Sequence, residues 1–75
     1  MSNDEEFVNE FGSVGKIVGV HLSKKDWLII GENVRGERFS GTIPGDFTHP
    51  PVVGDLFSLT YEDNKIKILY NEEIF

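Results

Sequence analysis

The sequence HPPVVGDLFSLTY, residues 49–61, decides how the chain is divided. Pro50 and Pro51 cannot donate a main-chain hydrogen bond, so any preceding strand has to end before them. Gly54-Asp55 favours a tight turn, because glycine tolerates a positive φ. Residues 56–61 then alternate in the manner of a strand whose one face is buried. The stretch therefore predicts a three-stranded meander before it and a single hairpin after it.

Three segments before this stretch have the composition of strands. Residues 14–22 alternate and are rich in valine, and Gly15 and Gly19 within them predict a bulge or sharp coil that lets one long strand serve two sides of a small barrel. Residues 27–30 are apolar on both faces, which is typical of a central strand. Residues 37–43 alternate again and form the third predicted strand.

The hairpin after the stretch and the long connection before it complete the fold prediction. Asp63-Asn64 is a favourable two-residue turn between the fourth and fifth strands. The connection 44–55 has no helical periodicity, and we expect Phe47 within it to plug the barrel end. Five short strands with a break between the third and fourth predict an all-β fold, a small five-stranded Greek-key barrel of the OB type, with an SH3-like barrel as the nearest alternative.

Composition restricts the class of protein. Seventy-five residues are enough for one domain near the lower size limit of a stable core. The chain has no cysteine, so disulfides and thiolate metal sites are excluded, and it has no apolar run long enough to cross a bilayer. We therefore expect a soluble cytoplasmic protein that does not associate with membranes.

The formal net charge of −6 is located at the ends of the chain. Four acidic residues precede residue 12 and two lie at positions 72 and 73, whereas the seven basic and seven acidic residues between them balance. We accordingly divide the chain into an acidic N-terminal arm, residues 1–11, and a barrel, residues 12–75.

Two interpretations of the acidic arm are open. Phe7 and Phe11 lie four residues apart, so a short helix would place both rings on one face, and Ser2 with Glu5 resembles a capping box. Such a helix is too short to be stable alone. The arm therefore either docks on the barrel through its two phenylalanines or remains a frayed acidic tail.

Three motifs resemble those of a known family. The chain is similar to the N-terminal OB domain of the ribosome small-subunit-dependent, circularly permuted GTPases, over about residues 14–70, in Gly15-Lys16-Ile17-Val18, Arg35 to Gly41, and Pro51-Val52-Val53-Gly54-Asp55. The resemblance implies an OB fold that contacts ribosomal RNA, with nucleotide chemistry in a separate domain. The 75 residues contain no P-loop or zinc-binding pattern, so we expect no GTPase activity from them.

Candidate chemistry is sparse. His21 and His49 are the only histidines, and nothing in the sequence fixes the spacing between them that a metal site would require. No serine lies in a nucleophile-elbow pattern. We expect no enzyme activity, no metal and no cofactor.

Nucleic-acid binding has the stronger case, because OB barrels bind single strands across strands two and three through basic and aromatic side chains. The candidate binding residues are Lys24, Lys25, Trp27, Arg35 and Arg38. Trp27 either stacks on a base or, since it heads an apolar run, lies in the core, and the lysines equally suit a solvated turn.

We therefore expect a non-catalytic binding module with one of two kinds of partner. The first is RNA or the ribosomal small subunit, bound through strands one to three. The alternative is a protein-interaction module that uses the acidic arm or an exposed barrel edge to bind a basic partner.

Overall fold

The computed structural model describes residues 3–12 and 14–75 of the chain. Ser2, the first residue of the predicted capping box, lies outside them. The described elements are α1 Asn3–Phe11, β1 Gly15–Ser23, β2 Asp26–Glu32, β3 Arg38–Pro44, β4 Leu56–Glu62, β5 Lys65–Tyr70 and β6 Glu73–Ile74.

The strands form one antiparallel sheet in the order β3-β2-β1-β4-β5-β6. The predicted mostly-β class and the short N-terminal helix are confirmed. Five strands were predicted, and the described part of the chain contains six. The additional strand, β6, has two residues, so it is too short to show the alternation by which the others are predicted.

Strand β1 belongs to both halves of the sheet, as its glycines predict. It pairs with β2 from Lys16 to Ser23, and with β4 through Gly15 and Lys16. The register shifts between Ile17 and Gly19, where the strand bulges. The bulge changes the face that the alternating residues occupy, because one extra residue reverses the orientation of everything after it.

The turn at Gly54-Asp55 connects β1 to the second half of the sheet. Gly54 has a φ of 102°, which favours glycine, and its N–H donates to the carbonyl of Ile17 over 2.8 Å. The N–H of Ile17 donates in turn to the carbonyl of Asp55 over 2.8 Å. The Tyr70 hydroxyl donates to Asp55 Oδ2 over 2.5 Å. The motif that decides the fold therefore joins β1, β4 and β5.

The Tyr70–Asp55 contact predicts a loss of stability in alkali. Burial, and then the hydrogen bond and negative charge of Asp55, raise the pKa of Tyr70 to about 12. Because the folded pKa lies above the unfolded value of about 10, the stabilisation is complete below pH 10 and is lost as the pH rises toward 12. We expect Tyr70→Phe to remove about 1 kcal/mol of this pH-dependent change, measured by urea unfolding near pH 8 and near pH 11. An unchanged pH dependence in Tyr70→Phe would contradict the prediction.

The core lies between the inner face of the sheet and α1. Its buried side chains are Phe11, Ile17, Ile29, Ile43, Phe57, Leu59, Ile68 and Tyr70. Phe7 and Phe11 of α1 pack on Phe39, with ring centroids 6.1 and 6.4 Å away, and Phe11 lies 5.9 Å from Phe57. Over Asn3–Phe11, the acidic arm is therefore a docked helix and not a frayed tail. Its docking supplies a buried aromatic side chain to a small core.

The connection between β3 and β4 has no helix or strand of its own. Phe47 within it is half-buried and packs edge-on against Phe75 at 4.8 Å and Tyr70 at 6.2 Å. Phe47 therefore packs against the core.

Candidate nucleic-acid interface

The register of β1, β2 and β3 defines the surface of the sheet that faces away from the core. Residues paired across antiparallel strands lie on the same face of the sheet. Ile29 on β2 and Ile43 on β3 are both fully buried, and they identify the side of the sheet that faces the core. We call the opposite side the outer face. Its four cross-strand rows are Ser23-Asp26-Pro44, His21-Leu28-Thr42, Gly19-Ile30-Ser40 and Lys16-Glu32-Arg38.

Lys24 and Lys25 form the turn between β1 and β2, beside the first row of the outer face. Both side chains are exposed, and no ion pair involves either lysine in the described part of the chain. A groove on one side of the turn is lined by Ser23, Asp26, Leu28 and Thr42 together with the lysines. The turn thus places two cations next to two hydroxyl groups and one carboxylate, and the cations and hydroxyls are groups that can contact phosphate oxygens.

Arg35 lies in the turn between β2 and β3, at the other end of β2. Its Nη2 donates to the main-chain carbonyl of Glu10, at the end of α1, and to Glu37 Oε1 over 2.9 Å. The last carbonyls of a helix have no partner within the helix and carry partial negative charge, so a cation there is stabilising. Arg35 therefore caps α1, and its charge is already offset.

Asn33 completes this cap and is buried. Its Nδ2 donates to the carbonyl of Phe11 over 3.0 Å and to Glu37 Oε1 over 2.7 Å. Its Oδ1 accepts from the main-chain N–H groups of Arg35 and Glu37 over 3.0 and 2.8 Å. One amide thus shapes the turn and holds the helix, a role that the sequence did not indicate because Phe11 is 22 positions away.

Arg38 begins β3 and pairs with Glu32 on the neighbouring strand, Nε to Oε2 at 3.1 Å. Lys16 lies on the other side of Glu32 in the same row. One carboxylate therefore lies between two cations, which lowers the positive potential of this end of the outer face. Pairs of this kind on a surface contribute about 0–1 kcal/mol to stability.

Trp27 faces the core and not the outer face. It pairs with Ile43, is half-buried and packs against the core residues. Its Nε1 is buried and has no hydrogen-bond partner in the described part of the chain. Of the two interpretations offered by the sequence, this position corresponds to the core one.

The structure does not bring the five predicted residues together. Lys24 and Lys25 lie at one end of β2, and Arg35 and Arg38 lie at the other, about 20 Å away at roughly 3.3 Å per residue. Trp27 lies near the lysines but points inward. None of the twelve residues in the four outer-face rows is Phe, Tyr or Trp. The outer face therefore offers hydroxyls and cations without a platform for stacking a base.

A second surface combines exposed apolar side chains with opposite charges. Val14, Val18 and Leu56 are 47%, 39% and 62% exposed, and Val34 is fully exposed. They line a groove of about 260 Å³ that also contacts Lys16 and Glu32. Pockets for drug-sized ligands are usually about 300–1,000 Å³, so this groove suits one or two side chains of a protein partner. Val34 lies in a turn, where the sequence gave no sign of an apolar surface.

Metal ligands do not converge within residues 3–12 and 14–75: no group of three or more His, Cys, Asp or Glu residues there could hold an ion. His21 lies on the outer face, whereas His49 lies in the β3–β4 connection, 5.9 Å from the Phe47 ring. Over the same residues, no helix has the length and apolar character required to cross a membrane.

Comparison of the chain with protein-family models, with curated proteins and with solved structures gives no match.

Proposed function

We propose that this chain is a non-catalytic binding module of the OB type that acts in the cytoplasm and binds structured RNA, such as that of the ribosomal small subunit. The observation that carries the proposal is the exposed Lys24–Lys25 turn, which lies beside the hydroxyls of Ser23 and Thr42. In OB barrels the loop between the first two strands and the face of strands two and three are the usual nucleic-acid contacts.

Strand order supports the OB part of the proposal. A Greek key has three strands joined in sequence and a fourth that returns by a long connection to lie beside the first. The order β4-β1-β2-β3, with residues 45–55 connecting β3 to β4, has this pattern. Its bulged first strand, shared between the two halves of the sheet, is the device expected of a small barrel.

The distribution of charge favours contact with phosphates over readout of bases. The outer face has no aromatic platform, so stacking on unpaired bases contributes little there. The end of α1 lies at the arginine end of β2, where Glu10 contacts Arg35. The C-terminal end of α1, with Glu10, thus lies at the opposite end of β2 from the lysine turn.

The test is fluorescence anisotropy of a labelled RNA hairpin, titrated with protein at several salt concentrations. With two lysines on phosphates, log K should fall against log salt with a slope of about −2 or shallower. Lys24→Glu with Lys25→Glu should weaken binding at least about tenfold at low salt. The control is Lys65→Glu with Lys67→Glu, which makes the same charge change on β5 and should weaken binding far less. Because Lys67 pairs with Asp63 over 3.6 Å, far-UV circular dichroism is used to check that this variant is folded.

Two results would contradict the proposal: no binding at low salt, or equal losses in the two double variants, which would show a general charge effect only. A single-stranded RNA of equal length is the second probe. Because the outer face lacks stacking groups, we expect it to bind no more tightly than the hairpin.

A second candidate function is protein interaction, and the apolar groove of Val14, Val18, Val34 and Leu56 favours it. Docked α1 also presents exposed carboxylates, Asp4, Glu6 and Glu10, to a basic partner. Failure of RNA binding at low salt would leave this candidate as the better account.

A further inference from the structure

Strand β3 is an edge of the described sheet, and the pattern of its main-chain hydrogen bonds can be derived. The N–H of Gly45 donates to the carbonyl of Lys25 over 2.7 Å, and that of Asn33 to the carbonyl of Glu37 over 3.0 Å. These two bonds lie at the two ends of the β2–β3 ladder and fix its alternation. Phe39, Gly41 and Ile43 therefore bond to β2, whereas Arg38, Ser40 and Thr42 direct their N–H and C=O groups away from it.

This edge is open to solvent. The side chains of Arg38, Ser40 and Thr42 are exposed, and Gly41 between them is partly exposed, whereas Gly31 on the interior strand β2 is buried. A glycine has only main-chain atoms, so its exposure shows that the main chain of β3 reaches the surface. Within residues 3–12 and 14–75, no other strand pairs with this edge.

We infer that β3 pairs antiparallel with β3 of a second copy of this chain, about a two-fold axis at Ser40. In that register, Ser40 lies opposite Ser40 of the partner subunit, and Arg38 lies opposite Thr42 of the partner subunit. All three outward-directed residues then form main-chain hydrogen bonds, about six in total. The two arginines are kept apart, so no like charges oppose each other.

The ends of the strand select this register. An axis at Thr42 would place Pro44, which has no N–H, opposite Ser40, and an axis at Arg38 would bring two arginines together. The edge is thus complementary to itself in one alignment, the property that an isologous dimer requires. Because the contact is one strand wide, we expect a weak dimer, with a dissociation constant in the micromolar to millimolar range. The inference does not depend on RNA binding.

The test is sedimentation equilibrium of the full chain over a wide concentration range. The wild type should approach twice its mass of 8.5 kDa at the highest concentrations. Ser40→Lys and Ser40→Glu should each stay monomeric, because like charges then meet at the axis, and an equimolar mixture of the two should dimerise. Ser40→Ala, the control, should behave as wild type.

Ser40→Pro gives a second, independent variant. It removes the central outward N–H, which an edge strand tolerates, and should abolish the dimer while far-UV circular dichroism stays unchanged. A monomeric wild type at all concentrations would overturn the inference. So would a dimer that persists in Ser40→Lys, which would assign the interface to another surface such as the apolar groove.

Discussion

Replacing Gly31 by Ala is expected to lower the free energy of unfolding by at least about 3 kcal/mol, the largest effect of any single substitution proposed for this chain. A Cβ at this position would lie 2.2 Å from two ring atoms of Phe57. The Phe57 ring is buried and is held by Phe11 and Phe39, at centroid distances of 5.9 and 6.5 Å, so it has little room to move. A domain of this size has only about 5 kcal/mol of stability, so the variant should retain at most about 2 kcal/mol.

Urea unfolding followed by circular dichroism measures this effect, and Gly19→Ala is its matched control. Gly19 also lies in a strand, but its added Cβ would be 3.6 Å from Ile30, an ordinary contact. We expect that variant to change stability by less than about 1 kcal/mol. Adding Phe57→Leu to Gly31→Ala should restore part of the loss by removing the ring. Equal stability of the two alanine variants would contradict the steric explanation.

Replacing Asn33 by Ala is expected to lower the free energy of unfolding by about 2–4 kcal/mol. The substitution removes both donors of the amide and its acceptor, leaving the Phe11 carbonyl and two main-chain N–H groups without these partners. Because the amide holds the last carbonyl of α1, loss of the cap should loosen α1 before the sheet.

Hydrogen exchange of the α1 amides, alongside urea unfolding, measures the second effect. Faster exchange should be concentrated in residues 3–11. Arg35→Ala is the control: it contacts the same helix end from an exposed position, and we expect it to lower stability by about 1 kcal/mol or less. If Arg35→Ala were as damaging as Asn33→Ala, the exposed ion pair and not the buried amide would hold the helix.

These contacts change which of the basic residues are available to bind RNA. Arg35 is the C-terminal cap of α1, and Arg38 shares Glu32 with Lys16, so neither is an uncompensated cation. The proposed RNA contact consequently depends on Lys24 and Lys25. This makes the lysine-turn variants more informative than substitutions at the arginines, whose effects would mix binding with folding.

Local signals in the sequence predicted the strands and turns because they depend on short-range chemistry. Gly54-Asp55 predicted a turn because of the freedom of glycine, and the two glycines of β1 predicted a bulge in that strand. The run 27–30 was correctly predicted to be a central strand, β2, because it is apolar on both faces. Because both faces of this run are apolar, the sequence could not show which of them is buried.

Only the tertiary structure decided the position of each candidate binding residue. The register of β2 turns Trp27 toward the core, and its length separates the lysines from the arginines. The cap formed by Asn33 joins residues 22 positions apart, and no local pattern encodes such a contact. The sequence by itself determined which segments become strands, because alternation and turn chemistry act over a few residues. Pairing between distant segments decided which side chains remain available to bind: its contacts offset the arginines, whereas neither turn lysine forms an ion pair in the described part of the chain.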